Sequence, residues 1–517
     1  MTDDHHRGGR SEGESHTTPA RSPEESDGGV VPGKEANNEA ATSAESLEER
    51  PPAKRNPQEE AAARPQRRQA VSIRLERVRQ KAEADRTVRF QNLFSLLTVD
   101  LLRESFYELK RQASPGLDKV TWSQYEENVE TNLEELEDSL HQSRYRATPV
   151  RRMYIAKPDG RKRPLGVTTV EDKIVQQAVA TLLGAVYEPA FSGFNYGARP
   201  GRSAHNALDA LSVALWEQPV GWVLDADIEG FFDRIPHAEL LRVLEMRIGD
   251  RRLLRLITKW LRVGWVEGGV RHPSERGTPQ GGVISPMLGN IYLDHVMDKW
   301  FSAWRRKECS GTAFIVRYVD DVVLGFQHRH EAELALACLR ARLAEWGLTL
   351  HPEKTRLIEF GRYASRNRRG RGEGRPESFT FLGVTHSCAK NRKGGWKIRR
   401  QTSRKSLAKV LHRIREQLRW RLHDGLHKTG LWLTSVVRGH YQYFAFPDNW
   451  AALHSFRSAV RTLWFRAIRR RSHKARQRWN WRRFQPLGKR FLPSPKLCHP
   501  WPNVRFDATT QRRSRMR

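Results

Sequence analysis

Residues 314–324 read FIVRYVDDVVL and place two adjacent aspartates, Asp320 and Asp321, between two apolar runs. Both runs are rich in β-branched residues, which favour strands, so the stretch predicts a short β-hairpin with the acidic pair at its bend. Two neighbouring carboxylates repel each other and ionise together only when a cation or a basic group lies beside them. The pair therefore either decorates an exposed turn or forms part of a site that holds a cation.

A second acidic segment, upstream of the first, favours the cation site. Residues 222–233 read WVLDADIEGFFD, an apolar strand that leads into acidic residues and two neighbouring aromatic residues. Carboxylates from two different strands supply the oxygen ligands that Mg²⁺ prefers. Two such ions about 4 Å apart can activate a hydroxyl group and stabilise a leaving oxygen during phosphoryl transfer.

The two segments together, Asp-x-x-Gly-Phe-Phe followed by Tyr-x-Asp-Asp, resemble the palm of a reverse transcriptase. The resemblance implies that Asp227, Asp320 and Asp321 are catalytic and bind two Mg²⁺ ions. It also places Phe232 where a bulky ring meets the sugar 2′ carbon of the incoming nucleotide. A ring at that position excludes ribonucleotides, so we expect the product to be DNA.

The chain as a whole is strongly basic. Its 517 residues carry a formal net charge of +32 and include 16 tryptophans. Such an excess of basic residues implies a polyanionic partner, and the aromatic residues among them favour nucleic acid over a membrane surface. No apolar run reaches the length of about 18 residues that a membrane-spanning helix needs, so we expect no membrane association. The four cysteines are widely spaced, which argues against a zinc ribbon or a disulfide framework and favours a reduced, cytoplasmic protein.

A basic segment near residues 150–167 predicts a two-stranded hairpin with a turn at Pro158-Asp159-Gly160. Its tip is either a solvated edge or a grip for phosphate, because a lysine beside a forked arginine suits phosphate oxygens. The resemblance to the reverse transcriptase fingers favours the grip and implies that Lys157 and Arg163 bind the nucleotide triphosphate.

Three further segments resemble bacterial group II intron reverse transcriptases: FNYGARPGRS at 194–203, GTPQGGVISP at 277–286 and GLTLHPEKT at 347–355. Ala198 replaces the phenylalanine usual in the first of them. The resemblance implies that Gln280 lies against the nascent base pair and that Lys354 approaches the leaving pyrophosphate as a catalytic residue. The alternatives are a plain loop before a helix for the Gly-Pro segment and a surface lysine for Lys354.

The C-terminal part predicts basic helices, beginning with residues 405–422, that resemble the maturase thumb called domain X. Its arginines and aromatic residues either contact RNA or form a core with a solvated face. The expected fold is α+β, a right-hand polymerase fold of fingers and palm followed by an α-helical thumb. We expect a disordered extension over 1–70 because its composition is polar, fingers and palm over 71–390, the thumb over 391–475 and a basic tail over 476–517.

The resemblance implies an RNA-directed DNA polymerase encoded by a group II intron, which makes cDNA with Mg²⁺ and also assists splicing and mobility. Its expected partners are group II intron RNA, an RNA template, a DNA primer or target and dNTPs, in a cytoplasmic ribonucleoprotein with intron RNA. Two alternatives stay open: a maturase that only assists splicing, and a host-adopted reverse transcriptase in phage defence. An intact catalytic set counts against the first alternative and does not distinguish the second.

Overall fold

The computed structural model describes residues 58–156, 162–278 and 281–510. Within these ranges, helices alternate with eleven strands that form three sheets. The expected mixture of helices and sheets is therefore confirmed. No helix in the described ranges combines the length and the apolar character needed to cross a membrane.

The N-terminal part is helical, and its helices pack through apolar residues spaced three and four positions apart. The bounds are α1 Gln58–Ala84, α2 Val99–Glu108, α3 Trp122–Glu126 and α4 Val129–His141. Helix α1 starts at Gln58, so the expectation of disorder up to residue 70 needs correction for residues 58–70. That stretch is rich in Gln, Glu, Ala and Arg, which have high helix propensity. Residues 1–57 lie outside the described part of the chain.

The first sheet contains the basic hairpin that the sequence predicts. Strand β1 (Val150–Ala156) pairs antiparallel with β2 (Lys162–Val167). On its other side β1 pairs in parallel with β4 (Trp265–Glu267), which pairs antiparallel with β5 (Val270–His272). The hairpin is thus tied to residues about a hundred positions later in the chain.

Helices connect this sheet to the central one. They are α5 Val170–Tyr187, α6 Ala204–Glu217, α7 Phe231–Arg234, α8 His237–Glu245, α9 Arg251–Arg262, α10 Ser285–Leu293 and α11 Trp300–Glu308. A π-helical segment, Asp294–Lys299, joins α10 to α11. Such segments are uncommon and are often found at functional sites.

The central sheet has the strand order β6-β7-β3-β8. Its strands are β3 Trp222–Asp227, β6 Ala313–Tyr318, β7 Asp321–Phe326 and β8 Arg356–Glu359, with α12 Arg329–Glu345 between β7 and β8. Successive side chains of a strand point to opposite faces of its sheet. Accordingly Leu224 belongs to one hydrophobic core and Val223 to a second. The sheet therefore separates two cores, and both of its faces are covered.

The C-terminal part begins with a short helix and a third sheet and continues as helices. These elements are α13 Ala364–Gly370, β9 Phe379–Phe381, β10 Val384–Lys390, β11 Trp396–Thr402, α14 Arg404–Trp420, α15 Leu426–Phe444, α16 Trp450–Arg469, α17 His473–Arg478, α18 Trp481–Phe491 and α19 Pro502–Thr510. Helices α14, α15, α16 and α18 share a core of their own.

The segment from residue 476 onward is folded rather than a tail as far as the structure describes it. Phe484 and Phe491 of α18 are buried in the core of the C-terminal helices. Arg505 of α19 donates to the carboxylate of Asp209 on α6, with a nitrogen–oxygen distance of 2.5 Å. The high arginine content made these apolar positions hard to recognise in the sequence. A segment with a high average charge can still have one apolar face that is buried.

Candidate active site

Three aspartates lie together at one end of the central sheet. Asp227 is the last residue of β3 and faces Asp321, the first residue of β7, across the antiparallel ladder. In the neighbouring ladder Tyr318 of β6 faces Asp321, so Val319 and Asp320 form a two-residue loop. The predicted hairpin is therefore present, and its acidic bend lies beside the acidic end of β3.

The carboxyl groups of this cluster affect one another. Although Asp321 reaches solvent, the protein atoms around its carboxyl group displace part of its water, and Asp320, Asp227 and Asp225 add negative charge. Together these effects raise the pKa of Asp321 to about 7. A carboxyl group in such surroundings gains most when a cation binds beside it.

Asp225 is a fourth carboxylate that the sequence did not single out. It lies on β3 two residues before Asp227, and therefore on the same face of the strand. Burial raises the pKa of Asp225 to about 6, against the lowering effect of Arg356. An Nη2 to Oδ2 distance of 3.4 Å joins Arg356 to this carboxylate. The Asp-x-Asp spacing on a strand is the signal that could have identified Asp225.

Lys354 lies in the same cluster. Its Nζ atom donates to Oδ2 of Asp227 at 2.8 Å. The loop that carries Lys354 is fixed to the end of β3, since the backbone N–H of His351 donates to the carbonyl of Asp227 at 2.7 Å. A second backbone bond joins the same two segments, because the N–H of Glu229 donates to the carbonyl of Thr349 at 2.9 Å. The structure thus brings Lys354 together with the three aspartates.

Phe232 follows the acidic cluster on the short helix α7. Its ring is half-buried beside that of Phe231, with ring centroids 4.9 Å apart. The carbonyl of Phe232 accepts a hydrogen bond from the N–H of Thr278 at 2.7 Å. A Cβ atom added at Gly277 would lie 2.7 Å from the same carbonyl oxygen, so only glycine allows this close approach.

The remaining predicted nucleotide-binding residues are only partly placed. Gln280 and Lys157 lie outside the described residues. Beyond Gln280, Gly281 approaches β2 so closely that an added Cβ would lie 2.5 Å from the carbonyl oxygen of Gly166. Arg163 lies on β2 opposite Ile155. Strand β2 and the backbone at Gly281 therefore lie against each other.

The carboxylate oxygens of the cluster are of the chemical type that binds a divalent cation. Carboxylate oxygens are the ligands that Mg²⁺ prefers, and this ion usually keeps several waters or substrate oxygens in its shell. Within the described residues, no three acidic, histidine or cysteine side chains already converge as a complete metal site. An ion here would therefore complete its shell with water or with nucleotide oxygens, and it would compete with Lys354 for Asp227.

A buried polar group behind the cluster is a second feature that the sequence did not predict. Arg317 and Asp298 are both fully buried, and Arg317 Nη2 donates to Asp298 Oδ2 at 2.5 Å. Arg317 also donates from Nη1 to the carbonyl of Val319 at 2.9 Å and to Oδ1 of Asn290 at 3.0 Å. These residues are far apart in the sequence, and only an arginine between apolar strand residues hinted at an internal partner.

Comparison with known proteins agrees with this geometry. Residues 155–386 match the family described as reverse transcriptase (RNA-dependent DNA polymerase). Group II intron-encoded protein LtrA of Lactococcus lactis subsp. cremoris is 37% identical over 232 residues, which cover 44% of this chain and 38% of that protein. Protein YkfC of Escherichia coli (strain K12) is 33% identical over 238 residues, covering 44% of this chain and 62% of that protein.

A more distant relative is matched over a longer stretch. An uncharacterized 91 kDa protein in the cob intron of Schizosaccharomyces pombe is 27% identical over 388 residues, covering 61% of this chain and 46% of that protein. The chain thus spans less than two thirds of the length of each of these relatives.

Residues 155–386, which carry the aspartates of the central sheet, are therefore similar to a reverse transcriptase domain. The relatives at 33–37% identity include LtrA, which is a group II intron-encoded protein.

Proposed function

We propose that this chain is an RNA-directed DNA polymerase encoded by a group II intron. The observation that carries the proposal is the meeting of Asp227 and Asp321 as cross-strand neighbours, with Asp320 in the adjoining loop and Lys354 bonded to Asp227. A cluster of carboxylates at the exposed end of a covered sheet suits chemistry on phosphate groups.

The proposed arrangement is a right-hand polymerase fold. The sheet with the β1–β2 hairpin corresponds to the fingers, the central sheet to the palm, and the helices from α14 onward to the thumb. The proposed boundaries are 71–390 for fingers and palm and 391–475 for the thumb. The packing of α18 on the core of the C-terminal helices favours extending the thumb beyond residue 475.

In the proposed reaction, Asp227, Asp320 and Asp321 hold Mg²⁺, and Asp225 lies close enough to add to the negative potential. Two bound Mg²⁺ ions would supply activation of the primer hydroxyl and charge stabilisation at the leaving oxygen. Lys354 would exchange Asp227 for the departing pyrophosphate, because its partly exposed ammonium group is free to rotate toward either anion. Phe232 would exclude the ribose 2′ hydroxyl, while Lys157, Arg163 and Gln280 would bind the nucleotide.

We also propose that the chain binds intron RNA and assists its splicing and mobility, in a cytoplasmic ribonucleoprotein with intron RNA that acts on a DNA primer or target. The exposed basic residues of α14 support RNA contact. RNA folding needs contact and no carboxylate cluster, so the assembled aspartates favour the polymerase over a maturase that only assists splicing. Whether the DNA that flanks the gene folds as a group II intron distinguishes the intron function from phage defence.

Primer extension on an RNA template with a DNA primer, dNTPs and Mg²⁺ tests the polymerase. Asp320→Asn should lower the extension rate about a thousandfold or more, because losing a metal ligand removes several kcal/mol of charge stabilisation. Asp138→Asn, at an exposed position on α4, is the matched control and should keep the wild-type rate. Extension by folded Asp320→Asn at the wild-type rate would refute the assignment.

Splicing assistance provides a separate readout for the same variant. Asp320→Asn should still promote splicing of the intron RNA, because that function requires binding and no metal chemistry in the protein. Loss of both activities in a folded variant would show that the two functions are not separable in this way.

A further inference from the structure

A buried ion pair between Arg317 and Asp298 lies beneath the loop that carries Asp320. Arg317 donates from Nε and Nη2 to both carboxylate oxygens of Asp298, at distances between 2.5 and 3.1 Å. Both side chains are fully buried. A charged pair removed from water in this way gives little net stability, even with good geometry. Fold stability alone is therefore a weak explanation for it.

The rest of the Arg317 guanidinium points at the loop. Nη1 donates to the carbonyl oxygen of Val319 at 2.9 Å and to Oδ1 of Asn290 at 3.0 Å. Asn290 in turn donates from Nδ2 to the carbonyl of Gly197 at 2.7 Å. Arg317 thus connects the loop to α10 and, through Asp298, to the π-helical segment.

The loop needs such support because its backbone is strained. Val319 has a φ of 57°, in the left-handed region that β-branched residues rarely adopt. Conformations of this kind persist only where the surroundings impose them, and they occur often at functional sites. Asp320 and Asp321 are the two residues that follow, so the backbone of Val319 sets the direction of both carboxylates.

A second contact restrains the loop from the side. The chain around Asn195 runs parallel to β6, and the N–H of Tyr196 donates to the carbonyl of Arg317 at 2.9 Å. Gly197 then passes so close to Val319 that an added Cβ would lie 2.6 Å from its Cγ2 atom and closer still to its backbone nitrogen. The loop is therefore held from below by Arg317 and from the side by the backbone of Gly197.

We propose that Arg317 is a positioning residue, which, together with Asp298 and Asn290, fixes the carbonyl of Val319 and so holds Asp320 and Asp321 in the geometry that binds the catalytic metal. This inference rests on the proposed polymerase function, in which those two aspartates are metal ligands. Because Arg317 is fully buried, a nucleotide or template bound at the surface would not reach it. Its loss should therefore lower metal affinity and kcat while leaving KM for dNTP nearly unchanged.

The test uses the full chain and Mn²⁺ alone as a spectroscopic probe, titrated by electron paramagnetic resonance without nucleic acid. Arg317→Lys keeps the charge but loses the forked geometry that reaches Asp298, Asn290 and Val319 together. The Mn²⁺ concentration at half-saturation should rise about 10- to 100-fold, and kcat for primer extension should fall by a similar factor. KM for dNTP should change by no more than about threefold.

The chain offers a matched control in a second buried pair. Arg400 on β11 is also buried and donates to Oδ1 of the buried Asp209 at 2.9 Å. Arg400→Lys should lower the melting temperature about as much as Arg317→Lys and leave the affinity for Mn²⁺ unchanged. If both variants lost Mn²⁺ affinity equally, general destabilisation would explain the loss in Arg317→Lys, and the proposal would be overturned.

A rescue experiment separates positioning from a structural role. Glycine adopts positive φ without strain. Val319→Gly added to Arg317→Lys should therefore restore part of the Mn²⁺ affinity, because the loop then needs less support. If the ion pair only stabilised the fold, the change at Val319 would not restore Mn²⁺ affinity. The absence of any such restoration would therefore count against the proposal.

Three further outcomes bear on the proposal. Wild-type Mn²⁺ affinity in folded Arg317→Lys would overturn the proposal. If that variant does not fold, Gly197→Ala decides, because it displaces Val319 without touching the ion pair, and wild-type Mn²⁺ affinity in it would again overturn the proposal. A wild type that binds Mn²⁺ but extends no primer would refute the polymerase function alone, and the titrations would still decide the role of Arg317.

Discussion

Asp321 lies at the start of β7 among three other carboxyl groups, and this crowding has a consequence for the fold as well as for chemistry. Burial around the group and the charges of Asp320, Asp227 and Asp225 raise the pKa of Asp321 to about 7. Because this folded-state pKa exceeds that of an unfolded aspartate, about 3.9, ionisation of Asp321 destabilises the fold. The penalty is absent below about pH 4 and complete above about pH 7.

We therefore predict that Asp321→Asn stabilises the metal-free protein. Its melting temperature should exceed that of the wild type at pH 8, and the difference should shrink toward zero as the pH falls from about 7 to about 4. Thermal unfolding followed by circular dichroism in buffer with a chelator measures this. Asp138→Asn, exposed on α4, should show no such difference, and a lower melting temperature for Asp321→Asn at pH 8 would contradict the prediction.

A second prediction at this scale concerns Phe232 as the gate for the sugar. Phe232→Ala should allow incorporation of ribonucleotides by removing the ring that would meet the 2′ hydroxyl. The preference for dNTP over NTP, measured as a ratio of kcat/KM in primer extension, should fall by a factor of about 10 or more. Phe231→Leu, in the buried neighbouring ring, is the control that should keep the preference. An unchanged ratio in Phe232→Ala would leave the ring as a packing residue only.

Helix α14 shows how one element can combine a buried face with a binding face. Ile414 and Leu418 are buried in the core of the C-terminal helices. Basic side chains recur at four-residue spacing on the exposed side, and Trp420 at its end is 84% exposed. The exposed basic residues are Arg404, Lys405, Lys409, Arg413, Arg415 and Arg419. Cations beside an exposed aromatic ring suit RNA, because the ring can stack on an unpaired base while the cations bind phosphates.

We predict that changing Lys409 and Arg413 together to Ala weakens binding of the intron RNA. Each cation that neutralises a phosphate releases a counterion, so the slope of log affinity against log salt should flatten by up to about two units. Filter binding across a salt series measures both quantities. The double change Arg306→Ala and Lys307→Ala, exposed on α11, removes the same charge elsewhere and should leave the slope unchanged.

Primer extension on an unstructured template should remain near the wild-type rate in the α14 variant. If slope and affinity are unchanged while the variant is folded, α14 is scaffold, and the basic side chains of α1 around Arg74, Arg77 and Arg79 become the next candidates for the RNA site.

The elements that could be predicted are those whose sequence pattern is local. The β-branched runs around Asp320 predict the acidic hairpin, and the turn at residues 158–160 predicts the basic one. The group formed by Arg317, Asp298 and Asn290 could not be predicted, because tertiary packing alone brings these residues together. Helix α18 was missed although Phe484, Leu487 and Phe491 have the spacing of one apolar face, since the surrounding arginines dominate its composition.

At the scale of the whole molecule, three hydrophobic cores are joined through shared elements. The central sheet separates two of them, and the C-terminal helices enclose the third. The end of the chain returns to the first half, because Asp209 on α6 pairs with both Arg400 and Arg505. The residues after 475 therefore take part in the stability of the C-terminal helices and in their attachment to the sheet.

We predict that Phe484→Ala destabilises the C-terminal helices. Its ring is fully buried and meets the ring of Trp464 edge to face, with centroids 5.5 Å apart. Truncation of a buried phenylalanine costs about 3–5 kcal/mol through lost burial and the cavity left behind. Denaturant unfolding and limited proteolysis should report this loss. Trp501→Ala, at a largely exposed ring, should change stability little. Equal stability of both variants would restore the view of a tail after residue 475.

The order of strands in the central sheet also governs how the protein can fold while it is being synthesised. Strand β3 lies between β7 and β8, and both of these partners follow it in the chain. Until residues 321–326 have left the ribosome, β3 lacks β7 and Asp227 lacks Asp321 opposite it, and the ladder with β8 waits for residues 356–359. The contact between helices α2 and α4 needs no such wait, because the two helices are close together in the chain. The nascent chain thus carries an unpaired apolar strand for about a hundred residues of synthesis, which is the interval in which it most needs protection from aggregation.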